Sequence, residues 1–230
     1  MQWTPRQIAL RSAVETQLGA VANPEVAPAM QAYMKTTMPF RGVKSPHRKP
    51  VERALRDAFR PTSREEYEGS VRAVWAMPHR EDKYTAIFLA RAWRKFVSAD
   101  SLDLYESLLR EGAWWDFVDE VAVHLVGELV RKDPATMLPV LDRYVADEDL
   151  WVRRTALIAQ LRCKASTDTE RLRRYCLTLA GEKEFFIRKA IGWSLREYAK
   201  TDPDWVRAFV AEHGASLSGL SVREASKHLA

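Results

Sequence analysis

Residues 113–130 read AWWDFVDEVAVHLVGELV, with two adjacent tryptophans and two aspartates at the head of a long apolar segment. Four apolar residues in this segment recur with the period of an α-helix: Val118, Ala122, Leu125 and Leu129. They predict a buried stripe along one helix from about 114 to 130, with Trp114 inside the stripe. Trp115 and Asp119 are four positions apart, so they lie one above the other at the edge of the stripe. The segment therefore predicts an aromatic ring beside a carboxylate at the border between core and surface, which fits either packing or chemistry.

The rest of the chain has the same helical character. Only nine of the 230 residues are glycine, and the alternating apolar pattern of half-buried strands is absent. We predict an all-α fold, an α-solenoid of HEAT-like helical hairpin repeats, from about twelve helices of roughly 10–17 residues whose hairpins recur at roughly 35–40 residues. The concave face of such a solenoid suits a long curved ligand. We expect a single domain over residues 1–230, and a compact all-α bundle is the alternative.

Two helix boundaries carry clear local signals. Asn23-Pro24 combines an N-cap residue with proline at the first helical position, and it predicts a helix from there to about Lys35. Ser63-Arg64-Glu65-Glu66 matches a capping box and predicts a helix that ends near Ala76.

Composition narrows the function classes. The formal net charge is +5, which suggests a polyanionic partner, although an ordinary basic soluble protein has the same balance. Two cysteines and five scattered histidines, without CxxC or HExxH spacing, predict no disulfide scaffold, no metal site and no cofactor. The N-terminus has no secretory apolar segment, and no apolar run reaches the roughly 18 residues of a membrane span, so we expect a cytoplasmic protein that does not enter the membrane.

One arginine falls among apolar residues of its helix. Leu150, Leu157 and Leu161 define an apolar stripe, and Arg154 lies within it on a helical wheel. Because a lone buried charge is costly, we expect Arg154 to pair with a carboxylate or to reach a bound anion. The alternative is that its side chain snorkels out of a loosely packed face.

One tryptophan lies nearly opposite the apolar stripe of its helix. Trp193 is within a turn of Lys189 and Arg196, and it follows Gly192, which costs ~1 kcal/mol relative to alanine inside a helix. An off-stripe tryptophan with basic neighbours and a small residue beside it predicts a contact surface. The alternative is that this face packs against the next repeat.

Basic residues are spread over the same helices and the loop near residue 45. They form a phosphate-binding surface if they share the concave face, and a merely solvated surface otherwise. The residues are Lys44, Arg48, Lys49, Arg153, Lys183, Arg188, Lys189 and Arg196.

The sequence contains no P-loop, Rossmann fingerprint, serine triad or metal-site spacing. Any catalysis must therefore come from a carboxylate, an arginine and aromatic rings. That set does not readily activate a strong nucleophile, but it suits the stabilisation of a developing cation. Glycosidic cleavage, with its oxocarbenium-like transition state, is the reaction that fits.

Five blocks of sequence carry a family resemblance. They are Trp114-Trp115-Asp116-x-Val118-Asp119, Trp151-x-x-Arg154, residues 189–198 (KAIGWSLREY), Tyr33-Met34-Lys35, and residues 40–46 (FRGVKSP). Together they resemble the AlkD-type DNA alkylation repair proteins, which are HEAT-like-repeat DNA glycosylases of bacteria. The likeness covers nearly the whole chain with similar spacing between blocks.

This resemblance implies an enzyme, an alkylpurine DNA glycosylase. It would hydrolyse the N-glycosidic bond of 3-methyladenine and 7-methylguanine in duplex DNA for base excision repair, without flipping the lesion into a pocket. It also implies double-stranded DNA as the partner, no cofactor, a monomer, and a place in the bacterial cytoplasm at the nucleoid. A non-catalytic helical-repeat module that binds nucleic acid or protein is the alternative.

The resemblance also carries roles onto individual residues. It places the catalytic carboxylate at Asp119, aromatic partners at Trp115 and Trp193, and the active-site arginine at Arg154, which would hold a phosphate or orient Asp119. For the set of contacts to DNA, the resemblance adds Tyr33 as a further aromatic residue near the cleft. It also adds two loop residues: Lys44, where some family members have Gln, and Ser45, where they have Thr. The basic residues expected to complete that set are Arg48, Lys49, Arg153, Arg188, Lys189 and Arg196.

Overall fold

The computed structural model of the protein describes residues 2–229. These residues form α-helices joined by turns and short 3₁₀ segments, and no strand occurs among them. Contacts between residues divide the chain into two compact units, Met1–Val97 and Ser98–Ala230. Within the described range, no helix combines the length and the apolar character that crossing a lipid bilayer requires.

The described part of unit 1, residues 2–97, contains five α-helices. They are α1 (Pro5–Gly19), α2 (Ala27–Met34), α3 (Ser45–Ala58), α4 (Arg64–Trp75) and α5 (Arg80–Ala92). Helix α1 packs on α3 and α4, and both of these pack on α5. The row Leu10, Val14 and Leu18 of α1 is buried, as expected of residues four apart on the inner face of a helix.

The predicted start of α2 is wrong by about one turn. The Asn23 side chain accepts a hydrogen bond from the Glu25 amide, which makes a local turn, and the Asn23 amide donates to the Arg41 carbonyl at 3.0 Å. These bonds hold the chain out of the helix until Ala27. The capping box is half confirmed, because the Ser63 hydroxyl accepts from the Glu66 amide but the Glu66 carboxylate binds Thr62.

A buried ionic cluster shapes the loop before α3. The Glu81 carboxylate accepts from the amides of Arg41 and Val43, and the Arg41 guanidinium pairs with Asp82. Gly42, between them, has φ +80°, and a Cβ there would lie 1.9 Å from the Asn23 carbonyl oxygen, so only glycine fits. The loop thus leads rigidly to the exposed start of α3.

Unit 2 is a two-layered stack of helical hairpins. Its helices are α6 (Leu102–Gly112), α7 (Trp115–Val121), α8 (Gly127–Lys132), α9 (Pro134–Tyr144), α10 (Leu150–Ile158), α11 (Thr169–Thr178), α12 (Phe185–Tyr198), α13 (Pro203–His213) and α14 (Gly219–Ala225). A π-helical segment, Ala122–Val126, joins α7 to α8 in one continuous rod. This rod, α10, α12 and α14 pack each on the next, and α6, α9, α11 and α13 cover them. The arrangement confirms the predicted all-α, solenoid class of fold.

The predicted stripe in the α7–α8 rod is confirmed, but not for Trp114. Val118, Ala122, Leu125 and Leu129 are all buried. Trp114, however, precedes the helix in an extended conformation (φ −155°, ψ 148°), so the helical wheel does not place its ring. The ring instead packs between helices, as described below.

Both cysteines lie in unit 2 and both are free and buried. Burial raises the pKa of the Cys163 thiol, and it raises the pKa of the Cys176 thiol to about 12.

Candidate active site

An aspartate and an arginine from neighbouring helices form the centre of the site. Arg154 on α10 donates from Nε to Asp119 Oδ1 at 2.7 Å and from Nη2 to Asp119 Oδ2 at 2.8 Å. This two-point geometry fixes the plane of the carboxylate relative to the guanidinium. Only 4% of the Arg154 side chain and 18% of the Asp119 side chain are exposed, so the pair is largely shielded but the carboxylate still reaches solvent. Of the two partners expected for Arg154, the structure contains the carboxylate.

Two aromatic residues of α12 enclose Arg154. Its Nη1 donates to the Phe186 carbonyl at 2.6 Å, and its Cζ lies 5.9 Å from the ring centroids of both Phe186 and Trp193. The guanidinium therefore bridges α7 and α12, and both rings lie within the range of a cation–π interaction with it. Trp193 and Arg154, which were selected separately from the sequence, are brought together. Phe186 had no role assigned, since neither the use of its backbone carbonyl nor the contacts of its ring across helices follow from the sequence pattern.

A cluster of three rings packs beside this pair. Trp114 lies 5.9 Å from Trp151 and 5.4 Å from Phe186, and Trp151 lies 4.9 Å from Phe186, measured between ring centroids. Trp114 thus joins the chain before α7 to α10 and α12. The three helices that carry Asp119, Arg154 and Trp193 are held by the same aromatic cluster.

The environment of Asp119 changes its titration. Burial raises the pKa of the Asp119 carboxyl above its usual range, while the hydrogen bonds and charge of Arg154 act in the opposite direction. Each carboxylate oxygen has two lone pairs and gives one to Arg154, so both oxygens keep acceptor capacity. Trp115, one turn before Asp119 on α7, is 36% exposed and is available to a ligand.

Glycines allow two close helix contacts around the site. A Cβ on Gly127, at the start of α8, would lie 2.4 Å from the Ala159 carbonyl oxygen at the end of α10. A Cβ on Gly192 of α12 would lie 2.4 Å from Cβ of Glu224 on α14. The space beside Gly192 is therefore filled by the next helix, and the packing alternative holds for the glycine itself.

Several basic residues expected at DNA have intramolecular partners. Arg153 binds both oxygens of Glu182 at 2.6 and 3.2 Å, and Arg48 binds Glu52 at 2.8 Å. Arg188 lies about 140° from Trp193 around the axis of α12. Its Nε is buried without an acceptor among the described residues.

The remaining candidates are placed as follows. Tyr33, Lys44, Ser45 and Lys49 are exposed in unit 1, while Lys189 and Arg196 of unit 2 are partly exposed and pair with Glu224. Over residues 2–229, no three His, Cys, Asp or Glu side chains gather in a group able to hold a metal ion. The roles of all these residues toward DNA stay predictions.

Comparison with known proteins supplies a family. A solved structure described as a predicted DNA alkylation repair enzyme from Enterococcus faecalis is 35% identical, with a TM-score of 0.80 over 91% of this chain and 97% of that chain. The crystal structure of smu.31 from Streptococcus mutans UA159 is 18% identical, with a TM-score of 0.62 over 79% of this chain and 92% of that chain, and it supports the fold alone. No protein of curated function matches. A family model for DNA alkylation repair enzymes matches residues 14–229, and this chain therefore belongs to that family.

Proposed function

We propose that this protein is a DNA glycosylase that removes cationic alkylated purines, 3-methyladenine and 7-methylguanine, from duplex DNA. The observation that carries the proposal is the Asp119 carboxylate, held at two points by Arg154 beside Trp193, with acceptor capacity left on both oxygens. Such a group suits a reaction that builds positive charge next to it and needs no metal.

The chemistry follows from the charge of the lesion. The bond between C1′ of the deoxyribose and the purine nitrogen breaks, and its electron pair goes to the base, which leaves neutral. The sugar is left as an oxocarbenium-like cation, which the Asp119 carboxylate stabilises through space. Water adds to C1′, and its proton passes to Asp119 or to solvent. No general acid is required, because the leaving group already carries the positive charge.

The other site residues have supporting roles in this proposal. Arg154 orients Asp119, since three of its nitrogens are already engaged by Asp119 and Phe186. Trp115 and Trp193 contact the deoxyribose of the lesion and keep water away from all but the attacking position. The lesion stays in the duplex, so that its own lability selects it rather than a base-reading pocket. We further propose that the protein acts as a monomer in the bacterial cytoplasm, at the nucleoid.

The test measures release of 7-methylguanine from methylated duplex DNA in single-turnover conditions. We expect Asp119→Asn to lower the rate by at least a hundredfold, within the range that removal of a charge-stabilising group costs. Asp116→Asn, on the same helix and with the same change in charge, is the control and should keep most of the rate.

The outcomes separate the alternatives. A wild-type protein that binds the methylated duplex but releases no base is a binding module, and the enzyme proposal is then wrong. Full activity in Asp119→Asn would show that Asp119 is not the catalytic carboxylate, while the enzyme proposal would stand. Whether the lesion stays in the duplex is tested separately with 2-aminopurine placed beside it. The fluorescence of 2-aminopurine should not rise when the protein binds.

A further inference from the structure

A row of three residues on α12 faces the last helix of the chain. Lys189, Gly192 and Arg196 are spaced i, i+3 and i+7, so they lie on one side of α12 with the glycine in the middle. Helix α14 approaches at the glycine, where a Cβ would lie 2.8 Å from the Ser221 carbonyl oxygen as well as 2.4 Å from Glu224 Cβ. The missing side chain therefore lets α14 place Glu224 between the two cations.

Glu224 binds both of them and a third cation from its own end of the chain. Its Oε1 accepts from Lys189 Nζ at 2.7 Å and from Lys227 Nζ at 2.7 Å, and its Oε2 accepts from Arg196 Nη1 at 2.5 Å. The hydrogen bonds and charges of Lys189 and Lys227 lower the pKa of Glu224 to about 2, so the carboxylate is ionised throughout the neutral range. One negative charge against three positive charges leaves the cluster with a net charge of +2.

The anion of this cluster is buried and its cations are not. The Glu224 side chain is 6% exposed, while Lys189 is 36% and Arg196 is 23% exposed. Lys189 keeps two ammonium hydrogens and Arg196 keeps four guanidinium hydrogens for other acceptors. On its solvent-exposed side the cluster thus presents positively charged hydrogen-bond donors, whose positions are fixed by their bonds to the buried Glu224 carboxylate.

The cluster lies next to the candidate active site. Lys189 and Arg196 are one turn before and one turn after Trp193 on α12, and Trp193 contacts Arg154. The two cations therefore lie on either side of Trp193 along the axis of α12.

We propose that Lys189 and Arg196 form a preordered binding site for one DNA backbone phosphate beside Trp193, with Glu224 of α14 as the positioning residue. The identity of the ligand as a DNA phosphodiester rests on the proposed function. Phosphate oxygens accept charge-assisted hydrogen bonds from both kinds of side chain. Because Glu224 has already restricted two long side chains, phosphate binding loses less conformational entropy than it does with free ones.

The test is the salt dependence of binding to undamaged duplex DNA, measured by fluorescence anisotropy. Each phosphate contact contributes about 0.9 to the slope of log K against log salt concentration. We expect Lys189→Gln combined with Arg196→Gln to reduce the slope by about 0.9, because the two side chains share one phosphate. The control removes two cations from the other layer, Arg174 of α11 and Arg207 of α13, and should leave the slope unchanged. An unchanged slope in the first pair, or an equal loss in the control pair, would overturn the site.

A second arm isolates Glu224. In the Glu224→Gln background, the double substitution of Lys189 and Arg196 should reduce the slope by less than about 0.45, half the value for one phosphate, because the freed cations no longer hold the phosphate together. In the Glu212→Gln background, which changes the charge equally on α13, the reduction should remain about 0.9. The full reduction in both backgrounds would show that Glu224 does not position the cations. If Glu224→Gln fails to fold, Glu224→Asp, which keeps the charge on a shorter side chain, replaces it with the same criterion.

These measurements need no excision, so they separate two failures. If the protein shows the expected slopes but releases no base, the phosphate-site proposal stands and the glycosylase proposal is wrong. If the protein releases base but the double substitution of Lys189 and Arg196 leaves the slope unchanged, the glycosylase proposal stands and the phosphate-site proposal is wrong.

Discussion

Replacement of Arg154 by alanine tests whether the buried ion pair organises the site. The change removes two charge-assisted hydrogen bonds to Asp119 and the donor for the Phe186 carbonyl, and it leaves a carboxylate with an 18% exposed side chain without its cation. Breaking a fully buried pair costs about 3–5 kcal/mol. Because Asp119 keeps some contact with water, we expect the lower end of this range, so that the free energy of unfolding at pH 7 falls by about 3 kcal/mol.

The adjacent residue provides a matched control. Arg153 also makes a two-point pair, with Glu182, but both members of this pair remain partly hydrated, since the side chain of Arg153 is 16% exposed and that of Glu182 is 23% exposed. Arg153→Ala should therefore cost about 1 kcal/mol or less. Both values are obtained from urea denaturation followed by circular dichroism.

The pH dependence sharpens the same test. Without Arg154, burial and the nearby Asp116 charge remain, and both raise the pKa of the Asp119 carboxyl, which in the folded state therefore lies further above that of the unfolded chain. The folded variant then takes up a proton more readily than the unfolded chain, and its stability deficit relative to wild type should shrink as the pH falls from 7 through this raised pKa. A loss below about 1 kcal/mol at pH 7, or a deficit that is equal at pH 7 and pH 5, would refute the reasoning.

Three further outcomes follow from the site geometry. Since excision requires ionised Asp119 and burial raises its pKa, the single-turnover rate should fall on the acid side with a midpoint above the usual aspartate range; a midpoint within that range contradicts this. Gly127→Ala should destabilise the fold by about 1–3 kcal/mol and slow excision, because the added methyl group meets the Ala159 carbonyl. Gly181→Ala, where no atom lies within 4 Å, should do neither in the same denaturation and excision assays. Trp193→Ala should lower single-turnover excision about tenfold, a loss of roughly 1.4 kcal/mol of transition-state stabilisation, and an unchanged rate would remove Trp193 from the site.

Sequence periodicity was sufficient where a single helix determines the outcome. The stripe from Val118 to Leu129 is buried as predicted, since that pattern depends only on helical geometry and on which side chains avoid water. The out-of-place charge of Arg154 also indicated a buried partner, because the cost of an unpaired charge is general. Its partner, Asp119, is 35 residues away, and only the packing of α10 against α7 identifies it.

The errors arise where tertiary contacts override a local signal. Asn23 has the side chain of an N-cap, but its amide binds Arg41 and the helix begins later. Trp114 fits the helical wheel numerically, yet it is extended because its ring is used between α10 and α12. Glu224 gave no signal, since an i,i+3 pair of glutamate and lysine such as Glu224 and Lys227 is common, and Lys189 and Arg196 become its neighbours only through the close approach at Gly192.

The burial of both cysteines has a consequence for a member of a DNA alkylation repair family. The electrophiles that methylate purines also attack thiolates, and a thiol reacts only in its ionised, accessible form. Cys163 and Cys176 are enclosed in the helical stack, and burial keeps their thiols protonated at neutral pH. Burial thereby protects both thiols from the alkylating agents that create the proposed substrate. We expect Cys163 and Cys176 to remain unmodified at doses of alkylating agent that damage DNA.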